Sequence, residues 1–288
     1  MLQLPVYLDN NATTPLDPRV LETMLPFFTQ HFGNASSRHH AYGWAAEAAI
    51  DLAREQVAAL IGADPKEIIF TSGATEADNL ALKGVFEMYA DKGNHIITTE
   101  VEHKAVLDTC KHLEKLGASV TYLKVNEEGM IDLKELESAI TAKTIIVAVM
   151  YANNEIGSIN PIREISAIAK RHGVLMMSDI TQAAGKVPVN VTKDGIDLAA
   201  FSAHKLYGPK GIGALYVRRK SPRVKVTAQM DGGGHERGMR SGTLNVPAIA
   251  GFGKACELAM QEMEEEGKRL GAMRDKLENA LLQLEETY

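Results

Sequence analysis

Short, almost wholly apolar runs alternate with longer amphipathic stretches between about residue 66 and residue 217. We predict strands at these runs: Glu67–Thr71, His95–Thr99, Ser119–Val125, Thr144–Met150, Val174–Ser178, Leu198–Ser202 and Gly213–Val217. Strands covered on both faces of a mostly parallel sheet have this composition. The amphipathic stretches between them include Lys104–Leu116, Leu133–Ile140 and Ile162–His172. The alternation therefore predicts an α/β/α sandwich, in which helices cover both faces of one sheet.

The composition narrows the class of protein. The 288 residues are 45% hydrophobic, which is enough for a large core. A net charge of −6 argues against nucleic-acid binding, because no basic surface is available to neutralise phosphates. No stretch resembles a signal peptide or a membrane span, and two cysteines form no disulfide framework. We expect a soluble protein of the reducing cytoplasm, without membrane contact.

Lys205 lies in FSAHKLYGPKGIG, between the end of an apolar strand and a glycine-rich turn. Most lysines are surface charges, so this position alone is weak evidence. Ser202 and His204 are its close neighbours, and the strand end would let the amine project into a cleft.

Asp179, in SDITQAAG, ends the preceding apolar strand, where an open α/β sheet forms its binding crevice. Its carboxylate could cap the next helix or bind a metal. Beside a pyridine ring it would keep the ring nitrogen protonated. Gln182 is spaced to face the same place. We predict no metal site here.

The segment TSGATEADN, residues 71–79, follows the first strand and opens a helix. Gly73 permits a tight turn, and Ala74 and Thr75 would offer free amide groups at the helix N-terminus, a ready site for a phosphate. A plain N-cap by Ser72 or Thr75 is an equally good interpretation of this segment alone.

Two further polar segments follow strands. His103 could be structural, or its ring could stack on a flat cofactor and relay protons near neutral pH. Asn153 and Asn154 suggest a turn, although one amide could bind a phenolic oxygen.

All these segments would meet at one edge of one sheet. A phosphate-bearing aldehyde cofactor held by Lys205 explains them together. A nicotinamide site fits less well, because no G-x-G-x-x-G opens a helix after a strand.

The same segments resemble a known family. DNNATTP, TSGATEADN, EVEHKAV, NNEIG, SDITQAAGK, FSAHKLYGPKGIGALYVRR and GGGHERGMRSGT look like the signature blocks of cysteine desulfurases. These are class V aminotransferases, and the likeness is greatest to the group that serves iron–sulfur cluster assembly. It covers essentially the whole sequence.

The resemblance implies a homodimer with the type I aminotransferase fold and pyridoxal 5'-phosphate as cofactor. Lys205 would hold the cofactor as a Schiff base and Asp179 would pair with its ring nitrogen. His103 would stack on the ring and assist proton transfer. The remaining cofactor contacts would be Gln182 and Asn154 at the phenolic oxygen, Ala74, Thr75, Ser202 and His204 at the phosphate, and Thr243 at the phosphate of the neighbouring subunit.

The implied reaction converts L-cysteine to L-alanine and leaves the sulfur as a persulfide for an iron–sulfur scaffold or another acceptor protein. The nucleophilic cysteine belongs to a C-terminal small domain without counterpart in this sequence. Cys110 and Cys256 lie in helical stretches and are expected to be buried. Either more chain exists, which the intact cofactor residues favour, or the protein ends here, binds cofactor without persulfide transfer and has an interaction or scaffold role.

Three segments are expected on this basis. Residues 1–15 would form the active-site rim and an N-terminal part of the small domain. Residues 16–250 would form the large cofactor-binding domain, and residues 251–288 a helical connection toward the small domain, which is largely missing. A selenocysteine lyase, a small-amino-acid aminotransferase and a catalytically inactive dimer remain the alternatives.

Overall fold

A seven-stranded sheet lies between two layers of helices in the computed structural model, which describes residues 4–284. The strands are β1 (Ile68–Thr71), β2 (His95–Thr99), β3 (Ser119–Leu123), β4 (Thr144–Ala148), β5 (Leu175–Asp179), β6 (Leu198–Ser202) and β7 (Gly213–Val217). The helices are α1 (Pro18–Met24), α2 (Pro26–Thr29), α3 (Ala41–Ile61), α4 (Ala74–Met88), α5 (Lys104–Lys115), α6 (Leu133–Ala139), α7 (Ile162–Arg171) and α8 (Val246–Leu281).

The strand order in the sheet is β1-β7-β6-β5-β4-β2-β3. Strand β7 is antiparallel to both of its neighbours, and the other neighbouring pairs are parallel. Since β1 and β6 both oppose β7, β1 runs in the same direction as β6, β5, β4, β2 and the edge strand β3. The carboxyl ends of these six strands lie at one edge of the sheet, where the five strand ends of β1, β6, β5, β4 and β2 follow one another around the reversed β7. The predicted mostly parallel α/β/α sandwich is confirmed.

Side-chain alternation along the strands divides the core into two layers. Ile68 and Phe70 pack toward the layer that contains α3 and α8, whereas Ile69, between them, packs toward α4. Both faces of the sheet are thus apolar, which explains the near-continuous apolar runs in the sequence.

The predicted strands and helices agree with the structure to within one or two residues at most ends. Strand β4 ends two residues earlier than predicted, although Val149 and Tyr151 still donate backbone hydrogen bonds to the β5 strand. The long C-terminal helix begins at Val246, capped by the Asn245 side chain. The last residues of the predicted helix, 285–288, lie outside the described residues.

No helix among residues 4–284 combines the length and the apolar character needed to cross a bilayer.

A buried ion pair fastens the glycine-rich segment at residues 232–243 to the sheet. The Arg54 guanidinium donates to the two carboxylate oxygens of Glu236 at 2.6 and 2.8 Å, and the two side chains are 9% and 1% exposed. Glu236 also accepts from the Phe70 backbone N–H at 2.8 Å. The two buried charges therefore depend on each other, because loss of either partner would leave the other buried without its counter-charge.

Replacement of Arg54 by Met is expected to lower the free energy of unfolding by about 3–5 kcal/mol, because Glu236 would stay buried without its counter-charge. Denaturant unfolding measures this loss. The matched control is Arg171→Met, which breaks the exposed pair with Glu137 and is expected to cost less than about 1 kcal/mol. Equal losses in the two variants would contradict this account of the pair.

Candidate active site

A cavity of about 730 Å³ opens at the edge where the five strand ends meet. Its wall contains every site residue predicted from the sequence except Thr243: Ala74, Thr75, His103, Asn154, Asp179, Gln182, Ser202, His204 and Lys205. The turn-rich N-terminal segment closes one side of it with Asp9, Asn11, Ala12 and Thr13. Residues far apart in sequence are therefore assembled around one space.

Lys205 ends a short 3₁₀ turn, Ala203–Lys205, directly after β6. Its Nζ donates to the backbone carbonyl of Asn11. Burial lowers the pKa of Lys205, while the negative charges of Asp179, Asp9 and Glu155 oppose that shift. A lysine whose pKa is lowered in this way has more of the neutral amine that can act as a nucleophile.

Asp179 is the last residue of β5 and is 7% exposed. Its Oδ1 accepts from the Thr181 backbone N–H at 2.9 Å and so stabilises the turn that follows β5. The sequence suggested a helix cap as one alternative, but residues 181–186 form turns and not a helix. Burial raises the pKa of Asp179, and the Thr181 hydrogen bond and the positive charges of His103 and Lys205 oppose this. A cation placed at this carboxylate would therefore be bound strongly in the low-dielectric wall.

Gln182 is held by two contacts that orient its amide. Lys186 Nζ donates to Oε1 at 2.5 Å, and Nε2 donates to the Asn11 carbonyl at 3.0 Å. An ammonium can only donate, so it fixes the amide oxygen on its own side and turns the NH₂ group toward the rim. A donor group is thus presented beside Lys205.

The turn from β1 into α4 leaves backbone donors free. Gly73 is the N-cap and supplies no side chain, and Ala77 makes the first helical hydrogen bond, to the Gly73 carbonyl. The amides of Ala74 and Thr75 precede that bond and point out of the first turn, where an anion is favoured.

Close approach of three elements requires glycine at this turn. Gly73 has φ +155°, and a Cβ built on Gly213 would lie 2.7 Å from the Gly73 Cα. Ser202, at the end of β6, faces the same turn, since its Oγ lies 3.7 Å from the position that a Cβ on Gly73 would occupy.

His204 completes this side of the cavity. One of its ring nitrogens, Nδ1, lies 3.1 Å from the Thr13 hydroxyl. Burial and the nearby lysines, Lys205 first, lower the pKa of His204.

His103 is the N-cap of α5, where Nδ1 accepts from the Ala105 backbone N–H at 3.1 Å. In the neutral ring this contact places the proton on the other nitrogen, Nε2. His103 therefore caps α5 and also lines the cavity.

For Asn153 and Asn154 the sequence suggested either a turn or a contact with a phenolic oxygen, and the structure places the two residues differently. The Asn153 side-chain oxygen, Oδ1, accepts from the backbone N–H groups of Glu155 and Ile156, so Asn153 stabilises the turn. Asn154 lines the cavity.

Thr243 is exposed and lies outside this cavity. The two cysteines, Cys110 and Cys256, are both buried. Burial raises the pKa of the Cys110 thiol to about 12 and that of Cys256 well above its usual value. Neither thiol has the exposed, electropositive surroundings of a reactive cysteine.

Two buried carboxyl groups near Asp179 were not predicted. Neither carboxylate oxygen of Asp78, on α4, has a hydrogen-bond partner within residues 4–284, and burial first, then the charges of Asp179 and Glu102, raises its pKa. Glu102 accepts from Thr99 Oγ1 and from the Met150 N–H at 2.9 and 2.8 Å. Burial raises the pKa of Glu102 to about 8. Glu102 therefore holds a proton near neutral pH, and burial favours the protonated form of Asp78.

The Glu102 carboxyl is expected to destabilise the fold as the pH rises. The unfolded chain loses this proton near pH 4.5 and the folded chain near pH 8, so between these values the folded state binds more protons. The free energy of unfolding should then fall by up to about 1.4 kcal/mol per pH unit from this group. Unfolding of the Glu102→Gln variant from pH 5 to pH 8 should lack that decline relative to wild type. Parallel curves for the two proteins would contradict the assignment.

Several contacts were not predicted, for different reasons. The backbone carbonyl of Asn11 accepts from both the Lys205 amine and the Gln182 amide, and a backbone contact of this kind does not depend on which side chain is present. The i+4 spacing of Lys186 from Gln182 is a signal that could have found their contact. Asp78 and Glu102 sit in segments that resemble ordinary helix and loop sequence.

Comparison with known proteins gives a consistent result. The family model for class-V aminotransferases matches residues 6–288. The cysteine desulfurase IscS of Klebsiella pneumoniae is 55% identical over 289 residues, which cover 100% of this chain and 71% of that protein. The IscS of Dechloromonas aromatica is 54% identical with the same coverage.

Solved structures agree with this. A NifS-like protein superposes with a TM-score of 0.94 at 44% identity, over 97% of this chain and 76% of that chain. The structure named SspA in complex with cysteine gives a TM-score of 0.82 at 42% identity, over 87% of this chain and 72% of that chain. The sheet order and the strand-end cavity agree with these relatives. The chain belongs to the class-V aminotransferase family, among the cysteine desulfurases.

Proposed function

We propose that the protein is a cysteine desulfurase that uses pyridoxal 5'-phosphate to convert L-cysteine to L-alanine and passes the sulfur on as a persulfide for iron–sulfur cluster assembly. The observation that carries the proposal is the meeting of the Lys205 amine and the Asp179 carboxylate in one cavity. The names of the relatives, which are cysteine desulfurases, support the choice of substrate.

Pyridoxal phosphate is the cofactor of this family, and the cavity fits it. A phosphate needs donors, and the free amides of Ala74 and Thr75, with Ser202 and His204 beside them, provide these. A pyridinium nitrogen needs a buried anion, which Asp179 offers. A phenolic oxygen needs a donor, and Gln182 and Asn154 present amide groups.

When bound, the cofactor supplies an aldehyde that condenses with amines and a ring that accepts electrons from the substrate's α-carbon. Lys205 would provide the amine that tethers it. Once the substrate's amino group has replaced it, the freed Lys205 amine would move the α-carbon proton. A lowered pKa suits this task, because only the neutral amine accepts a proton.

Other residues would hold and orient the cofactor. Asp179 would keep the ring nitrogen protonated, and that partnership would offset the cost of its burial. His103 has Nδ1 engaged by Ala105, which leaves Nε2 as the atom available for proton transfer and fixes the plane of the ring. Asn11 would close the rim and exclude water on the Lys205 side.

The sulfur acceptor would be a thiol other than Cys110 and Cys256. A thiolate is the attacking species, and the raised pKa of both buried groups keeps them protonated. The chain spans 71% of the length of the curated relatives that it matches.

We further propose a cytoplasmic homodimer in which Thr243 of each protomer reaches the phosphate held by the other. The exposed position of Thr243 outside its own cavity supports this. Phe28, Phe32, Tyr42 and Trp44, which are 53–66% exposed, support an association surface on this chain.

The protein that finally takes the sulfur would be an iron–sulfur scaffold or another sulfur-acceptor protein. The N-terminal segment would form the active-site rim, in keeping with Asp9 and Asn11 in the cavity wall. Residues 16–250 would form the large cofactor-binding domain, and residues 251–288 a helical connection toward the small domain.

The Lys205→Ala variant is expected to lose the visible absorption band that wild type acquires when pyridoxal phosphate is added, because the Lys205 amine is the one that would form the covalent link. The control is Lys111→Ala, at a surface lysine of α5 paired only with Asp108, which should keep the band. An unchanged band in Lys205→Ala would show that another group holds the cofactor.

The reaction is tested by supplying L-cysteine and an excess of a small thiol to the cofactor-loaded protein. One thiol takes the sulfur as a persulfide, and a second thiol reduces that persulfide to sulfide and becomes the disulfide. Alanine, sulfide and the disulfide are therefore expected in equal amounts. Keto acid without sulfide would indicate an aminotransferase, and turnover of selenocysteine alone would indicate a selenocysteine lyase. Removal of both cysteines, as Cys110→Ala with Cys256→Ala, should leave turnover to the added thiol unchanged.

A further inference from the structure

Glu76 puts a negative charge at the phosphate turn. It is the third residue of α4 and lines the cavity together with Ser72, Gly73 and Thr75. Its Oε2 accepts from the Ser72 backbone N–H at 2.6 Å. A carboxylate stabilises a helix N-terminus, but here it stands beside the amides that would bind a phosphate dianion. Two like charges so placed repel each other in a half-buried site.

Arg240 neutralises that charge. Its Nε and one terminal nitrogen donate to the two oxygens of Glu76 at 2.8 and 3.3 Å, and the two side chains are 18% and 20% exposed. Burial raises the pKa of Glu76, but the hydrogen bonds from Arg240 and Ser72 outweigh it, so the net shift is downward and the carboxyl is ionised. The pair is therefore a true ion pair, with two parallel hydrogen bonds.

The segment that carries Arg240 is fixed to the same strand. Glu236 accepts from the Phe70 N–H, and Arg237 donates to the Ile68 carbonyl at 3.0 Å. Both contacts are on β1, which leads directly into the phosphate turn. The segment that carries Arg240 is thus anchored to β1 only a few residues before Ser72, and this contact holds Arg240 beside Glu76.

We propose that Arg240 is a positioning residue for the cofactor phosphate. It cancels the charge of Glu76 and keeps that carboxylate against the Ser72 amide, so that the Ala74 and Thr75 amides face a phosphate without a neighbouring anion. The inference rests on the proposed function. It assigns to the glycine-rich segment a task within its own protomer, apart from the contact of Thr243 with the other.

The test compares two ligands that differ only in the phosphate. Pyridoxal phosphate and pyridoxal carry the same aldehyde and ring, so both give a visible band through Lys205. In Arg240→Gln, the affinity for pyridoxal phosphate measured from that band is expected to fall roughly 10- to 100-fold, because the Glu76 charge would then repel the phosphate at short range. The affinity for pyridoxal should change little, and it also reports that the site is folded.

Removal of both charges separates neutralisation from simple structural support. In the double variant Glu76→Gln, Arg240→Gln the repelling charge is absent, so most of the affinity for pyridoxal phosphate should return. Arg240→Lys should retain much of it through its charge. Arg237→Gln is the matched control: it loosens the same segment but leaves Glu76 paired, and the preference for pyridoxal phosphate over pyridoxal should persist.

Each other outcome overturns the proposal. If the double variant is as weak as Arg240→Gln, Arg240 acts by direct contact or by holding the segment, not by cancelling Glu76. If Arg237→Gln loses the preference equally, the effect belongs to the segment as a whole. A wild-type protein without any visible band would instead refute the proposed function, which makes the two failures distinguishable.

Discussion

Hydrogen bonding between parallel strands, with β7 reversed between β1 and β6, brings the carboxyl ends of β1, β6, β5, β4 and β2 to one edge of the sheet. The register Asp179↔Ala200 between β5 and β6 then sets where Asp179 stands relative to the turn that bears Lys205. A slip of one residue would turn Asp179 to the other face of the sheet. Met176 and Met177 of β5 pack into opposite core layers, as do Ala199 and Ala200 of β6, and this packing opposes such a slip. The core therefore determines the geometry of the site.

The sequence predicts most of this arrangement because its strands are buried on both sides and are therefore apolar throughout. It also predicts the site side chains, since each follows such a run: Asp179, Lys205 and the Ser72–Thr75 turn are examples. The antiparallel direction of β7 leaves no mark in the sequence, because a strand covered on both faces looks the same in either direction. The hydrogen bonds to the Asn11 carbonyl also leave no mark in the sequence, because every residue has a backbone carbonyl.

Long-range ion pairs were also beyond sequence reasoning. Arg54 and Glu236 are 182 positions apart, and Arg240 and Glu76 are 164 apart. Surface arginines are common, so nothing marks these as buried partners. The two pairs connect the glycine-rich segment to α3 and α4, and Glu236 also accepts from β1. Burial favours the protonated forms of Asp78 and Glu102, and Glu76 is paired with Arg240. Asp179 is then the carboxylate of the cavity wall that would face a ring cation.

The central claim is that one amine, that of Lys205, tethers a phosphorylated pyridine ring in this cavity. Borohydride reduction of the protein with bound pyridoxal phosphate makes the link permanent, and peptide mass mapping then identifies the modified lysine. The account predicts the pyridoxyl group on Lys205 alone, although Lys210 lines the same cavity and Lys186 contacts Gln182. Modification of either of those lysines, or of many lysines equally, would contradict it.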